Sequence, residues 1–465
     1  MERKDATQMR PTMSLPLTAS EAFHAERLQH VPYVRMHQQE YCMTHAMLYT
    51  EDEIAELRTA SEQLHHIFMK ALRLVQEELP DEIVAQQIGI PAKLLGSARI
   101  SFAFSGIARQ DWIKGPEGWK CIENNADTPT GIPETAYLAE QLLADSRAAD
   151  HSCQTHLYNP SVDLAYRLQQ ALGEMLDQYR ELGFGTRVVC SSFANHEEDR
   201  ANTAYVMRLM QQLGWEVEYC PLEELRVEPA RGLIAYDRPV DIWYRLYPLE
   251  YLMDDLAPDG FPVGEAVLSL AEEGRLAIMN PPQSIILQSK ALLAFVWACF
   301  EHHDTLSEAR GERLYSEEEL AVIQRYLLPT YLNETPFRER QLPYVQKSIW
   351  GREGKGTSIY GADGKQFHTE DTIRKVDLSE CTVEEQEEVM RYYNDQLKIY
   401  QQYVPMEAAR LETEEGYMDG FVLTGVYTPN GRFGGVLPRL GGRITGDLAR
   451  FCPAAVWKRA IYKLN

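Results

Sequence analysis

Thr186-Arg187-Val188-Val189-Cys190, a stretch over 202–213 with Val206, Leu209, Met210 and Leu213 on one helical face, and then Trp215-Glu216-Val217-Glu218-Tyr219-Cys220 set the fold class of this chain. Two short apolar runs around one amphipathic helix make a β-α-β unit, and that alternation implies a parallel, Rossmann-like layer. Outward from it, 232–236 and 241–247 read as a hairpin around Asp237-Arg238-Pro239. Upstream, 50–78 carries Ile54, Leu57, Leu64, Phe68, Leu72 and Val75 at helical spacing behind a capping start at Thr50-Glu51-Asp52-Glu53. Residues 99–104 alternate like a strand, while 133–144 and 161–182 read as helices. Downstream of a very apolar helix at 292–297, strand patterns at 344–350, 357–360, 397–404 and 420–427 are separated by turns such as Ala362-Asp363-Gly364. The last third is therefore expected to be antiparallel, and the whole α/β (α+β). Residues 1–95 are expected to form a loose arm (1–30) and a helical segment, 96–285 the parallel region and 286–465 the antiparallel one.

A chain of 465 residues with 45% hydrophobic and 25% charged content is ordinary for a globular protein of two or three units. The net charge of −23 argues against nucleic-acid binding, which needs basic patches. No apolar run reaches membrane-spanning length, and residues 1–10 lack the apolar segment of a secretory leader, so a cytoplasmic location is expected. Eight cysteines (Cys42, Cys121, Cys153, Cys190, Cys220, Cys299, Cys381 and Cys452) stand far apart with no C-x-x-C pair, the pattern of reduced structural thiols.

Candidate chemistry is concentrated in a few segments. Glu123-Asn124-Asn125-Ala126-Asp127-Thr128-Pro129-Thr130-Gly131 follows a short strand and is rich in oxygen-bearing side chains. Glu123 and Asn125, two apart on extended chain, point to one face and suit a hard cation such as Mg²⁺; read alone, the run serves equally as a turn. Gly351-Arg352-Glu353-Gly354-Lys355-Gly356 lies between two strand patterns and can close over phosphate, although it has neither Walker nor Rossmann spacing. Lys347 precedes it, and Lys290 stands before the apolar helix, where a cation needs a partner. Arg439 and Arg443 lie among glycines near the end. The pairs His65-His66 and His302-His303 diverge on helices and read as surface or cap residues; Tyr392, Tyr393 and Trp350 read as packing.

In order along the chain, these segments resemble the synthetase half of the glutathionylspermidine synthase family, an ATP-grasp fold preceded by a Rossmann-like pre-ATP-grasp region. The resemblance rests on Arg99, Glu123/Asn125/Asp127, Tyr247-Pro248-Leu249-Glu250, Ser289 with Lys290, Lys347 with Gly351-Arg352 and Gly354, and Gly434-Gly435 with Arg439. It implies Mg²⁺ on Glu123 and Asn125, ATP phosphates on Lys290, Lys347 and the Gly351–Gly354 loop, and adenine beside Gln401 and Gln402. Arg99, Arg352 and Arg439 would be catalytic, with Arg439 also on the substrate and Glu250 facing an amine. The reaction implied is ATP-dependent joining of a small-molecule carboxylate and an amine, such as a glutathione-like peptide and a polyamine, through an acyl phosphate. Where the family's R-x-D strand has its aspartate this chain has Ser101, and Asp111 is the candidate replacement as metal ligand. If no carboxylate stands there, a nucleotide-binding protein that has lost catalysis is the alternative. Ser348 replaces a family proline, and residues 1–95 hold no amidase half.

Overall fold

The computed structural model describes residues 8–36, 38–149, 157–369 and 391–457; Cys153 and Cys381 lie outside them. The opening β-α-β stretch folds into Val188–Ser191, the helix Glu197–Gln212 and Val217–Tyr219. These strands belong to a four-stranded parallel sheet in the order Ala277–Met279, Ile242–Arg245, Val188–Ser191, Val217–Tyr219. Every residue of its two central strands is buried, as a parallel sheet covered on both faces requires.

The hairpin expected across 232–247 does not form as read. Gly232–Ala235 pairs instead with Arg238–Pro239, because Tyr236 and Asp237 take positive φ (50° and 60°) and close a two-residue turn. That frees the apolar run Ile242-Trp243-Tyr244 for the parallel sheet, where both of its faces are covered.

Two larger antiparallel sheets frame the cavity, beside a mixed sheet in which Ala454–Trp457 runs parallel to His45–Tyr49. One has the order Arg450–Phe451, Gly435–Gly441, Gly416–Tyr427, Arg109–Gly115, Gly118–Asn125, with Ala408–Thr413 also paired to Gly416–Tyr427. The other has the order Thr330–Tyr331, Lys398–Gln402, Tyr344–Ser348, Thr357–Tyr360, Gln366–Thr369. Residues 99–104 are not a strand. The Phe102 N–H and the Phe102 and Phe104 carbonyls are satisfied by the Gln283 side chain, while both rings pack on Tyr179 at 5.4 and 5.3 Å. The alternation was real, but it served a side-chain-capped loop.

The helix Glu51–Glu77 opens with the capping box of Thr50 and Glu53. Its buried Leu57, Leu64, Phe68 and Leu72 share one core with the helix Ala291–Glu301, each contributing about 1.5–3 kcal/mol. The stretch from residue 8 to residue 30 is not a loose arm. Thr12–Ser14 pairs with His45–Tyr49, and buried Arg10 ties Glu53 (2.7 Å) to Glu407 (2.5 Å) while lying over the Tyr49 ring. The six described cysteines are free and buried, and among the described residues no helix is long and apolar enough to cross a membrane.

Candidate active site

A cavity of about 700 Å³ is lined by residues from both antiparallel sheets, the glycine loop and the first turn of Glu197–Gln212. One wall is the paired strands Arg109–Gly115 and Gly118–Asn125, whose register sets Arg109 against Asn125 and Asp111 against Glu123. Facing pairs in an antiparallel ladder share one side of the sheet, so these four side chains meet at the cavity. Asp111 accepts from Arg109 (2.9 and 3.2 Å), Asn125 (3.2 Å) and Arg439 (3.1 Å). Burial alone would raise the Asp111 carboxyl, but the guanidiniums of Arg109 and Arg439 hold it below the ordinary carboxylate range.

Lys290 reaches from the start of the apolar helix to Glu123 (2.8 Å) and to the Gly351 carbonyl (2.6 Å), linking the carboxylate wall to the loop. Lys347 donates to Gln401 Oε1 (2.8 Å) and the Ile122 carbonyl (3.2 Å), and burial pulls its ammonium down to about 8. The loop needs its glycines. A Cβ on Gly351 would sit 2.3 Å from the Lys355 carbonyl, and Gly354 and Gly356 take φ of 75° and 73°. Arg352 is held by Glu250 (2.9 and 2.6 Å) and Thr128 (3.1 Å).

Asp111, Glu123, Asn125, Lys290, Lys347, Gly351, Arg352, Gly354, Gln401, Gln402 and Arg439 all line the cavity; Arg99 and Glu250 do not. Arg99 instead donates to the Gln76 carbonyl (2.5 Å) and the Leu79 carbonyl (2.7 Å) and pairs with Asp81. Arg109, two residues before Asp111, lines the cavity instead, and Arg109-Gln110-Asp111 carries the same R-x-D spacing that was expected at Arg99. The spacing was visible in the sequence, but the strand was read ten residues too early. Glu250 is buried behind Arg352, which bonds its Oε1 twice while Oε2 has no partner, and it does not line the cavity. Asp127 is likewise a buried tie, to Arg245, Ser284 and the Leu249 N–H. Sequence reading missed the acidic side of the cavity, Glu197, Glu198 and Asp199, together with Tyr33 and Tyr41 opposite the strands in sequence.

Asp111, Glu123 and Asn125 form a hard-oxygen donor set that fits Mg²⁺, with Arg109, Arg439 and Lys290 now neutralising the carboxylates. Among the described residues no group of three His, Cys, Asp or Glu side chains is placed to hold a metal ion by itself. Arg439 Nε is buried without a partner, a donor left over for an anion.

Comparison with known proteins follows the same lines. A Haemophilus influenzae protein, provisionally described as an acid–amine ligase, is 25% identical over 252 residues, 52% of each chain; the match thus spans about half the length of that relative. A solved structure of a glutathione synthetase-like effector from Globodera pallida, in its apo form, superposes with a TM-score of 0.52 over 89% of both chains at 11% identity, a likeness of fold. The fold is α/β of the ATP-grasp type, with the parallel layer falling in sequence between the strands Arg109–Gly115 and Gly118–Asn125 and the remaining strands of the antiparallel sheets. The family model for the glutathionylspermidine synthase pre-ATP-grasp region matches residues 20–457, taking in the carboxylate strands, the glycine loop and Arg439 alike, and the chain belongs to that family.

Proposed function

We propose that this chain is an ATP-dependent carboxylate–amine ligase that forms an amide through an acyl phosphate. The observation that carries the reading is the facing pair Asp111 and Glu123, with Asn125 beside them, ringed by Arg109, Lys290, Lys347 and Arg439 on one cavity. Two carboxylates and an amide under four cations suit a metal–polyphosphate better than any side-chain nucleophile, and among the described residues every cysteine is buried.

In this reading Val345, Ile359 and Leu328, with the Gln401–Gln402 strand, would hold the adenine of ATP, and Lys290 and Lys347 would bind the nucleotide's phosphates. Mg²⁺ on Asp111, Glu123 and Asn125 would neutralise charge on the phosphoryl group being transferred. Arg352, braced by Glu250, and the loop amides would cover the phosphates and shield them from water. Arg109 and Arg439 take the acyl phosphate and the oxyanion that forms when the amine adds. Glu197 and Asp199 at the cavity favour an amine that arrives as a cation. A glutathione-like peptide and a polyamine, the substrates in the family's name, fit this charge pattern.

The test is release of ADP and phosphate with Mg²⁺-ATP and a panel of peptide acids and amines, glutathione and spermidine first, with mass spectrometry of the product. An amide is the expected product; a phosphorylated acid or amine as the end product would mean a phosphotransferase. Glu123→Ala should cut turnover by roughly 100-fold or more. Unchanged Mg²⁺-ATP affinity and turnover in that variant would remove the basis of the proposal.

A further inference from the structure

One buried carboxylate beside the cavity has no part in the chemistry above. Glu134 is fully buried (0% exposed) and accepts on both oxygens, from the Tyr33 hydroxyl at 2.8 Å and the Tyr41 hydroxyl at 2.8 Å. The polarity of the network around it is set from outside. The Ile132 N–H donates to Asn202 Oδ1 (3.1 Å), so the Asn202 amide nitrogen must point the other way. That nitrogen donates to the Tyr33 oxygen (3.4 Å) and to the main-chain carbonyl of Glu198, one turn back in the same helix (3.0 Å), which leaves the Tyr33 proton for Glu134. Asn202 is itself fully buried. Tyr33, Tyr41 and Glu198 line the cavity, whereas Glu134 stands behind them.

A buried charge is costly, and an apolar residue would serve a purely structural role better. The chemistry of amide formation supplies a use. An alkyl amine reaches the site as R–NH₃⁺ and must lose a proton before its lone pair can attack. We propose that Glu198, carried at the cavity on the helix turn whose main chain the Glu134–Tyr33–Asn202 network ties down, is the proton acceptor for the amine, and that Glu134 is a positioning residue acting on that turn. This inference rests on the ligase reading. In the step, Glu198 takes one proton from R–NH₃⁺, the nitrogen lone pair forms the C–N bond at the acyl carbon, and the C–O bond to phosphate breaks. The second proton leaves with the phosphate as HPO₄²⁻, and Glu198 returns its own to solvent.

The surroundings of Glu198 match that duty. Loss of solvation first, then the charges of Glu134, Asp199 and Glu353, push its carboxyl up to about 8, with His196 pulling the other way. A carboxyl near that value is mostly protonated at pH 7 and gains acceptor capacity as pH rises through 8, so the spermidine rate should climb over that range. Burial raises the Glu134 carboxyl as well, against the pull of its tyrosine partners and Arg109.

The experiment compares two nucleophiles on the same acyl phosphate, with the acids of the ligase panel. Hydroxylamine is uncharged at pH 7 and needs no acceptor, whereas spermidine arrives protonated. In Glu198→Gln the spermidine-to-hydroxylamine rate ratio should fall roughly 100-fold. In Glu134→Gln and Tyr33→Phe it should fall about tenfold, and the acid limb of the spermidine profile in Glu134→Gln should move down by about one pH unit as a like charge is removed. Partial misfolding lowers both rates together and leaves the ratio alone. An unchanged ratio in Glu198→Gln, with hydroxamate still formed, overturns the inference by itself. No hydroxamate or amide from the unaltered protein across the whole panel overturns the ligase reading, and the inference with it.

Discussion

Asp127→Asn asks whether the aspartate that ends the Glu123–Asp127 run is a metal ligand or a keystone of the fold. Its carboxylate accepts from Arg245 on both oxygens (3.2 and 2.5 Å), from the Leu249 N–H (3.1 Å) and from the Ser284 hydroxyl (3.2 Å). Both members of the ion pair are completely enclosed, at 0% side-chain exposure. Asparagine keeps the shape but turns an NH₂ toward a donor and leaves the Arg245 charge unbalanced, so the expected loss is about 3–5 kcal/mol. Replacing Arg245 by methionine in the same molecule should recover part of it, with a coupling of about 2 kcal/mol. Denaturant unfolding would show the midpoint falling with an unchanged slope. Where the variant is still folded, its Mg²⁺ requirement should rise less than that of Glu123→Ala. A loss below about 1 kcal/mol, or a steep rise in Mg²⁺ requirement at full stability, would refute the reasoning and make Asp127 a ligand.

Two further outcomes bear on the site. Lys347 has its folded-state value lowered from 10.5 to about 8, so the unfolded chain holds its proton more tightly; its cost to stability is full below pH 8 and is relieved as pH rises from 8 to 10.5. Nucleotide affinity, which uses the ammonium, should fall about tenfold per pH unit above 8 in titration calorimetry, and a flat profile from pH 7 to 9 would remove Lys347 from the phosphate site. Arg99→Ala should cost about 1–2 kcal/mol, because carbonyls at the end of the Glu51–Glu77 helix lose their donor, and should leave turnover of the folded fraction unchanged. A loss of turnover at full thermal stability would return Arg99 to catalysis.

The same residues show where reading the sequence stops. The β-α-β layer was legible at 186–220 because apolar periodicity is local, and Glu123 with Asn125 was legible because period two puts them on one face. Partnerships were not. The Arg352–Glu250 pair joins residues 102 apart in sequence, and the chain from Glu134 through Tyr33 and Asn202 to Glu198 joins separate segments whose contact no pattern announces. Asp111 is the instructive case, because its role depends on register. The ladder pairs Asp111 with Glu123 but Trp112 with Cys121, so Ile122 is bulged out between them. Unbroken alternation would set Trp112 against Ile122 and carry Cys121 to the same face as Glu123. The extra residue instead keeps Glu123 and Asn125 toward the cavity while Cys121 and Trp119 join Trp112 in the core. A one-residue shift in either strand would exchange these faces and bury the carboxylates, so the metal-binding capacity proposed here depends on a bulge that simple alternation cannot reveal.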